Sequence, residues 1–176
     1  MIREVWRRLV FSFICRRKEA IYLSGAIDHA PDRGVGWRQE VRPKLQMAGY
    51  SVIDPTEGVE YELARFLGWD LFVLDAWLQL PTLSPRLYRQ ACRFLRECDE
   101  RLLARANIVL VRLDEYAGDG TRSEASLGAF LGRDVLVWEA WSGASPDLSV
   151  WFTGCVTSFH SDFGSILDVL EARKRG

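Results

Sequence analysis

Near the middle of the chain, Gly118-Asp119-Gly120-Thr121-Arg122-Ser123-Glu124 joins an apolar run to an amphipathic stretch. The run, Ile108-Val109-Leu110-Val111, is short, β-branched and followed by turn residues, so it reads as a buried strand. From Ser123 to Leu131 the spacing is helical, with Leu127, Gly128 and Leu131 on one face. Strand, glycine-rich turn and helix put the turn at the carboxyl edge of a parallel sheet, where open α/β sheets bind ligands. Glu124 is then expected in the first helical turn, where free N–H groups and the dipole favour an ionised carboxylate. A carboxylate kept ionised and pointed into a cleft serves as a nucleophile. The same residues admit a structural reading. Thr121-Arg122-Ser123-Glu124 is also S/T-x-x-E, a capping box that satisfies orphan backbone donors. A second carboxylate, Asp99, falls at the edge of an apolar stripe (Ala91, Phe94, Leu95, Cys98, Leu102) on a helix upstream, a place from which it reaches a cleft.

The elements that must position these residues follow in order. Ala20-Ile21-Tyr22-Leu23-Ser24 reads as the first strand, ending at Gly25. After a polar loop from Asp28 to Gly36, Trp37 to Ala48 is helical, with Trp37, Val41, Leu45 and Ala48 on one face. Pro43 is expected near the first turns or at a kink. Gly49 closes the helix, and Tyr50 to Ile53 forms a second strand ending at Asp54-Pro55, completing a right-handed βαβ unit. Leucines from Leu63 to Leu78 mark a further helix between Glu60 and Leu80, broken by Pro81 to Pro85, where a long helix to about Ala104 begins. Asp134 to Trp138 reads as strand four, Trp141 to Leu148 as a loop, Val150 to Val156 as strand five, and Phe163 to Lys174 as a terminal helix. Five strands alternating with helices predict a doubly wound, mostly parallel α/β sandwich with helices on both faces. Its organisation is read as an amphipathic N-terminal helix (1–19), one α/β domain (20–176) and a helical insertion within it (57–96). Loops from Gly25 to Gly36, Asp54 to Glu60 and Leu113 to Arg122 converge on one sheet edge.

Bulk properties narrow the partners. At 176 residues, 48% hydrophobic and 27% charged, the chain suits one globular domain with a real core. A net charge of −1 gives no reason to expect a nucleic-acid polymer held by bulk electrostatics. Cys15, Cys92, Cys98 and Cys155 show no C-x-x-C spacing and no paired histidines accompany them, so neither a zinc site nor any other metal or cofactor is expected. Reduced thiols and a cytoplasmic location are the default. Core packing explains most of the seven tryptophans, and several could line a cavity or interface. No segment approaches the ~20 apolar residues of a membrane span. The apolar stretch Leu9 to Cys15 is closed by Arg16-Arg17-Lys18 and lacks a small-residue cleavage site, which argues against a signal peptide. In the N-terminal helix Ile2, Val5, Trp6, Leu9, Val10, Phe13 and Ile14 share one side, with Arg3, Arg7 and Arg8 opposite. Packing on its own domain or on a second copy, and hence a homodimer or larger assembly, is the expected role; a membrane-surface helix is the alternative.

Taken in order, Ile21-Tyr22-Leu23-Ser24-Gly25-Ala26-Ile27, Gly36-Trp37-Arg38, Gly49-Tyr50-Ser51-Val52-Ile53-Asp54-Pro55, Asp99 ahead of Ala106-Asn107-Ile108-Val109, and Gly120-Thr121 leading to Glu124 resemble the nucleoside 2-deoxyribosyltransferase-like family. The resemblance runs from about residue 20 to 138 and more loosely beyond. It implies cleavage of an N-glycosidic bond of a nucleoside or nucleotide through a glycosyl-enzyme intermediate. By position Glu124 matches the family nucleophile, Tyr22 a tyrosine that orients it, and Asp99 an aspartate that contacts the base and helps protonate it. Asp119 lies close to an acidic residue contacting the sugar, in a loop of different length. Ser24, Gly25, Gly120 and Thr121 fall in the matching segments and are expected to contact substrate. Asp28, His29, Asp32 and Arg38 are further candidates from the first loop and helix start. His160 is a candidate to reach a neighbouring subunit's site. The chemistry suits these roles: glycosidic cleavage needs one ionised carboxylate and one acid for the leaving group, and desolvation beside an apolar stripe raises the pKa of the second. Two rivals stay open: a non-catalytic nucleotide-sensing module, and a lysine-decarboxylase-like phosphoribohydrolase, from whose Pro-Gly-Gly-x-Gly-Thr run Tyr116-Ala117-Gly118-Asp119 departs.

Overall fold

Alternation along the strands decides which side chains meet which helices, because successive residues of a strand point to opposite sheet faces. The computed structural model describes residues 18–27, 30–58, 85–141 and 148–175. The expected N-terminal helix, the helix over Glu60 to Leu80, and Asp28 and His29 lie outside them. Five strands, β1 (Ala20–Ser24), β2 (Ser51–Ile53), β3 (Ile108–Leu113), β4 (Asp134–Glu139) and β5 (Ser158–His160), form one sheet in the order β2-β1-β3-β4-β5. Every pairing is parallel, with Tyr22 opposite Ile53 and Val109 and Ser24 opposite Val111. The described helices are α1 (Val35–Met47), α2 (Pro85–Ala104), α3 (Asp119–Phe130), α4 (Val150–Cys155) and α5 (Phe163–Arg175). None is long and apolar enough to cross a membrane.

Two cores result, one per face. Ile21, Leu23, Ile108, Leu110 and Leu136 pack with Trp37, Val41 and Leu45 of α1 and Phe163, Ile166 and Leu170 of α5. The residues between them, Tyr22, Val109, Val111, Val135 and Val137, pack with Leu103 of α2, Ala125 of α3 and Phe152 of α4. Each fully buried aliphatic side chain contributes about 1.5–3 kcal/mol. This is the expected doubly wound sandwich, and its parity sends Tyr22 and Ser24 toward α2 and α3.

The helices differ from expectation in informative ways. α3 begins at Asp119 rather than Ser123, so Asp119, Gly120 and Thr121 belong to a helix and not to a loop. Its buried residues are Thr121, Ala125 and Gly128; of the expected Leu127-Gly128-Leu131 face, Gly128 is buried and Leu127 packs at the edge of the core, while Leu131 is 37% exposed. Gly128 lets the helix lie close to the sheet: a Cβ there would fall 2.6 Å from Val109 Cγ2. Pro43 stands well inside α1, past its first turn. The run expected as strand five, Val150 to Val156, is instead α4, and β5 follows it at Ser158–His160. β-Branched and aromatic residues suggested a strand, but the Ser149 hydroxyl accepts from the Phe152 N–H at 3.2 Å and caps a helix. Only Phe152 of that helix is buried.

Candidate active site

At the carboxyl end of β1 the period of two places Tyr22 and Ser24 on the α3 side, one step apart. Both hydroxyls reach the same carboxylate. Tyr22 Oη donates to Glu124 Oε1 at 2.7 Å, and Ser24 Oγ donates to Glu124 Oε2 at 2.5 Å. Ser24 Oγ also lies 3.5 Å from the Thr121 carbonyl, tying strand end to helix start. Tyr22 and Ser24 are fully buried, while Glu124 keeps some exposure.

This arrangement removes the capping reading. The N-cap of α3 is Gly118, with no side-chain cap, and Glu124 spends its carboxylate on the strand instead of on the helix start. It also corrects the electrostatic expectation. With α3 starting at Asp119, Glu124 lies beyond the first turn, where the dipole has largely fallen off, and Asp119 is the acid of that turn. Burial pushes the Glu124 pKa up, opposed by the hydrogen bonds from Ser24 and Tyr22 and by the Arg38 charge. Tyr22 is pushed far up, first by burial and then by Glu124 and Asp99, so it remains a neutral donor.

Asp99 sits on α2 one turn before the buried Leu103 and therefore on the same helix face. The buried positions of α2 are Ala91 and Leu103; Phe94, Leu95, Cys98 and Leu102 are only partly covered. Burial, then repulsion from Glu124, raises Asp99 to about 7. One carboxylate held by two hydroxyl donors thus lies within electrostatic reach of a second that binds a proton near neutrality. Such a pair can present one anion and one acid at the same time.

The remaining expected residues separate into groups. The Gly34 and Gly25 carbonyls accept from Arg38 Nη1 and Nη2, and the Arg38 side chain is 1% exposed. Gly120 is exposed, and Asp119 is wholly exposed with Arg122 3.9 Å away. Asp32 accepts from the Gly34 and Gly36 N–H groups at 2.9 and 2.7 Å, ordering the start of α1 and lowering its own pKa. His160 has both ring nitrogens engaged within its own chain, by Ser158 at 2.7 Å and Ser165 at 3.2 Å. Sequence reading missed the direct Ser24–Glu124 contact, though Tyr-x-Ser on a strand signals two hydroxyls on one face. It also missed Asp54, which lies at the end of β2 against Arg38 and Arg42. A separate cleft of about 360 Å³, lined by Asp32, Trp37, Glu40, Arg112, Asp114 and Trp138 among others, contains none of Tyr22, Ser24, Asp99 and Glu124. Arg112 and Trp138 have the parity of the opposite core.

No family model and no curated protein sequence matches the chain. Solved structures do. The 2-deoxyribosyltransferase of the psychrotolerant bacterium Bacillus psychrosaccharolyticus aligns with a TM-score of 0.57 at 17% identity, covering 85% of this chain and 90% of that one. A 2-deoxyribosyltransferase from Leishmania mexicana gives 0.46 at 15% identity, over 73% and 67% of the two chains. The CMP N-glycosidase of Clostridium botulinum gives 0.48 at 11% identity, over 88% and 99%. With its five parallel strands and helices on both faces, the chain has the fold of the nucleoside 2-deoxyribosyltransferase-like proteins.

Proposed function

We propose that the protein is an enzyme that cleaves the N-glycosidic bond of a nucleoside or nucleotide through a glycosyl ester on Glu124. The observation that carries this reading is the Glu124 carboxylate gripped by Tyr22 and Ser24, with burial and then the Glu124 charge raising the Asp99 pKa to about 7. Two donors hold the nucleophile's charge and orientation while leaving lone pairs on each oxygen for attack. A Glu124 oxygen attacks the anomeric carbon as the carbon–nitrogen bond breaks. The bonding pair leaves with the base nitrogen, which takes the Asp99 proton. In the second half, water or another base attacks the same carbon, Glu124 leaves as carboxylate, and Asp99 takes back a proton. Water gives hydrolysis; a base gives transfer. The fold supports the reading only as analogy, so the residues carry the weight. Asp119, Gly120, Thr121 and Gly25, toward the carboxyl edge of the sheet, are the residues we assign to contact substrate; Asp28 lies outside the described residues.

The test is incubation of pure protein with a panel of nucleosides and nucleotides, with and without a free acceptor base. Release or exchange of a base that disappears in Glu124→Gln supports the proposal. A well-folded protein that releases no base from any member of the panel contradicts it.

A further inference from the structure

The glycosidic mechanism leaves His160 without a part, yet its ring is buried and held at both nitrogens. Ser158 and His160 stand two apart on β5 and so share a sheet face. It is the face that Leu136 and Trp138, their partners in register, turn toward α5, opposite to that of Tyr22 and Ser24. Ser158 Oγ lies 2.7 Å from His160 Nε2, and Ser165 Oγ, in the first turn of α5, lies 3.2 Å from Nδ1. Ser165 is in turn fixed by Asp162. Its hydroxyl donates to the Asp162 carbonyl at 2.8 Å, and its N–H to Asp162 Oδ1 at 3.0 Å.

Counting protons assigns the tautomer. A serine hydroxyl has one proton, and that of Ser165 goes to a carbonyl, which only accepts. The Ser165 oxygen therefore accepts from His160 Nδ1–H, and in the neutral ring Nε2 is left as a bare acceptor. Ser158 must then donate its own proton to Nε2. Burial favours the neutral ring and lowers the His160 pKa, opposed by the charge of Asp162. A nucleophile hydrogen-bonded to a base, with the base oriented by a third group, is the arrangement that activates a serine. A mere tie between β5 and α5 requires neither this tautomer nor this direction of donation. The backbone adds a donor. Thr157 N–H donates to the Val135 carbonyl at 2.8 Å, so the Ser158 N–H, one residue on, points away from β4. Since β5 ends the sheet, that N–H faces the open edge, where it can take the charge of an oxyanion. Ser158 is partly exposed, and approach across an open edge suits small acyl groups.

We propose that Ser158 and His160 form a second reactive centre, on the sheet face opposite to Glu124's partners, that cleaves small activated acyl esters through an acyl-Ser158 intermediate. Ser158 Oγ bonds to the acyl carbon as its proton passes to His160 Nε2, and the charge on the carbonyl oxygen is met by the Ser158 N–H. The ester C–O bond then breaks; the leaving alcohol oxygen keeps the bonding pair and takes the Nε2 proton. In the second half water attacks the same carbon and gives a proton to Nε2. The Ser158 oxygen leaves with that proton, and a carboxylic acid is released.

The experiment uses the full chain with two probes: a small dialkyl fluorophosphate, which forms an Oγ–P bond with an activated serine as fluoride leaves, and p-nitrophenyl acetate as the ester. Digestion and mass spectrometry should place the phosphoryl group on Ser158. Ester cleavage should fall by roughly 10²–10⁴ in His160→Gln, the loss expected for a general base, and by at least as much in Ser158→Ala. Its rate should drop on the acid side of a midpoint lying below the ordinary 6.5 of histidine, because only the neutral ring accepts the proton. A phosphoryl group absent from Ser158, or ester cleavage unchanged in well-folded His160→Gln, overturns the proposal and leaves Ser158, His160 and Ser165 as a tie between strand and helix. If His160→Gln does not fold, Ser158→Ala decides: lost ester cleavage supports the proposal, and retained cleavage refutes it.

Discussion

Asp99→Asn separates catalysis from stability in one substitution. Asp99 binds its proton with a pKa of about 7 in the folded protein against an ordinary 3.8. Between those values the native state holds a proton that the unfolded chain has lost, so wild-type stability falls as pH rises through this window. Below it the group costs nothing; above it the cost is complete. The difference of about 3 pH units, at about 1.4 kcal/mol each, sets an upper bound of about 4 kcal/mol. Asp99 remains partly open to solvent, so a realised gain of about 1–3 kcal/mol for the neutral Asn is expected at pH 8. At 2–4 °C per kcal/mol for a chain of this size, that is roughly 2–12 °C in Tm. Thermal and urea unfolding of both proteins from pH 4 to 8 reads it directly. The two curves should coincide near pH 4 and diverge steadily to about pH 7. Over the same range base release should fall by roughly 10²–10⁴ through loss of the acid. Parallel stability curves across the whole range would refute the assignment of a raised pKa to Asp99, and with it the acid role.

Tyr22→Phe and Ser24→Ala each delete one hydrogen bond to the Glu124 carboxylate. Bonds to a charged group are worth about 1.5–3 kcal/mol, so each should lower kcat roughly 10- to 150-fold; a change under threefold in either would show that orientation of Glu124 does not matter. Gly128→Ala sets a Cβ against Val109 and should destabilise by about 1–3 kcal/mol in urea unfolding, and unchanged stability would mean that α3 lifts from the sheet without cost.

The sheet was legible because its central strands carry unbroken apolar runs, Ile21 to Leu23 and Ile108 to Val111, bounded by turn residues. The four strands from Ala20 to Glu139 and their alternation with helices followed from that pattern, whereas the fifth strand was placed on Val150 to Val156 and lies instead at Ser158–His160; Tyr22 was singled out by the family resemblance. Helix starts were harder to read. Gly118-Asp119-Gly120 has the composition of a turn, yet α3 begins inside it, since the first turn of a helix tolerates residues whose N–H groups need no partner from the preceding turn. α4 was hidden because Val150, Trp151 and Phe152 have strand propensity; the Ser149 cap and a single buried ring decide otherwise. The electrostatic role of Glu124 was misread for a related reason: the dipole argument assumed a first-turn position, and burial, opposed by the Ser24 and Tyr22 hydrogen bonds, sets its pKa instead. Nothing local marks Arg38 as buried. Its partners Gly25, Gly34 and Asp54 come from three separate points of the chain, and only the closed fold brings them together.

The central claim is covalent, so the most direct test looks for the bond. Wild-type protein incubated with a slow 2′-fluoro nucleoside analogue, then digested and sequenced by mass spectrometry, should carry the sugar on the Glu124 side chain. Glu124→Gln should carry none, remain folded and still bind the analogue, because the amide preserves shape but forms no glycosyl ester. Its stability at neutral pH should match or exceed wild type, since burial disfavours the charge that is removed. A sugar attached elsewhere, or near-wild-type base release by well-folded Glu124→Gln, would contradict the account.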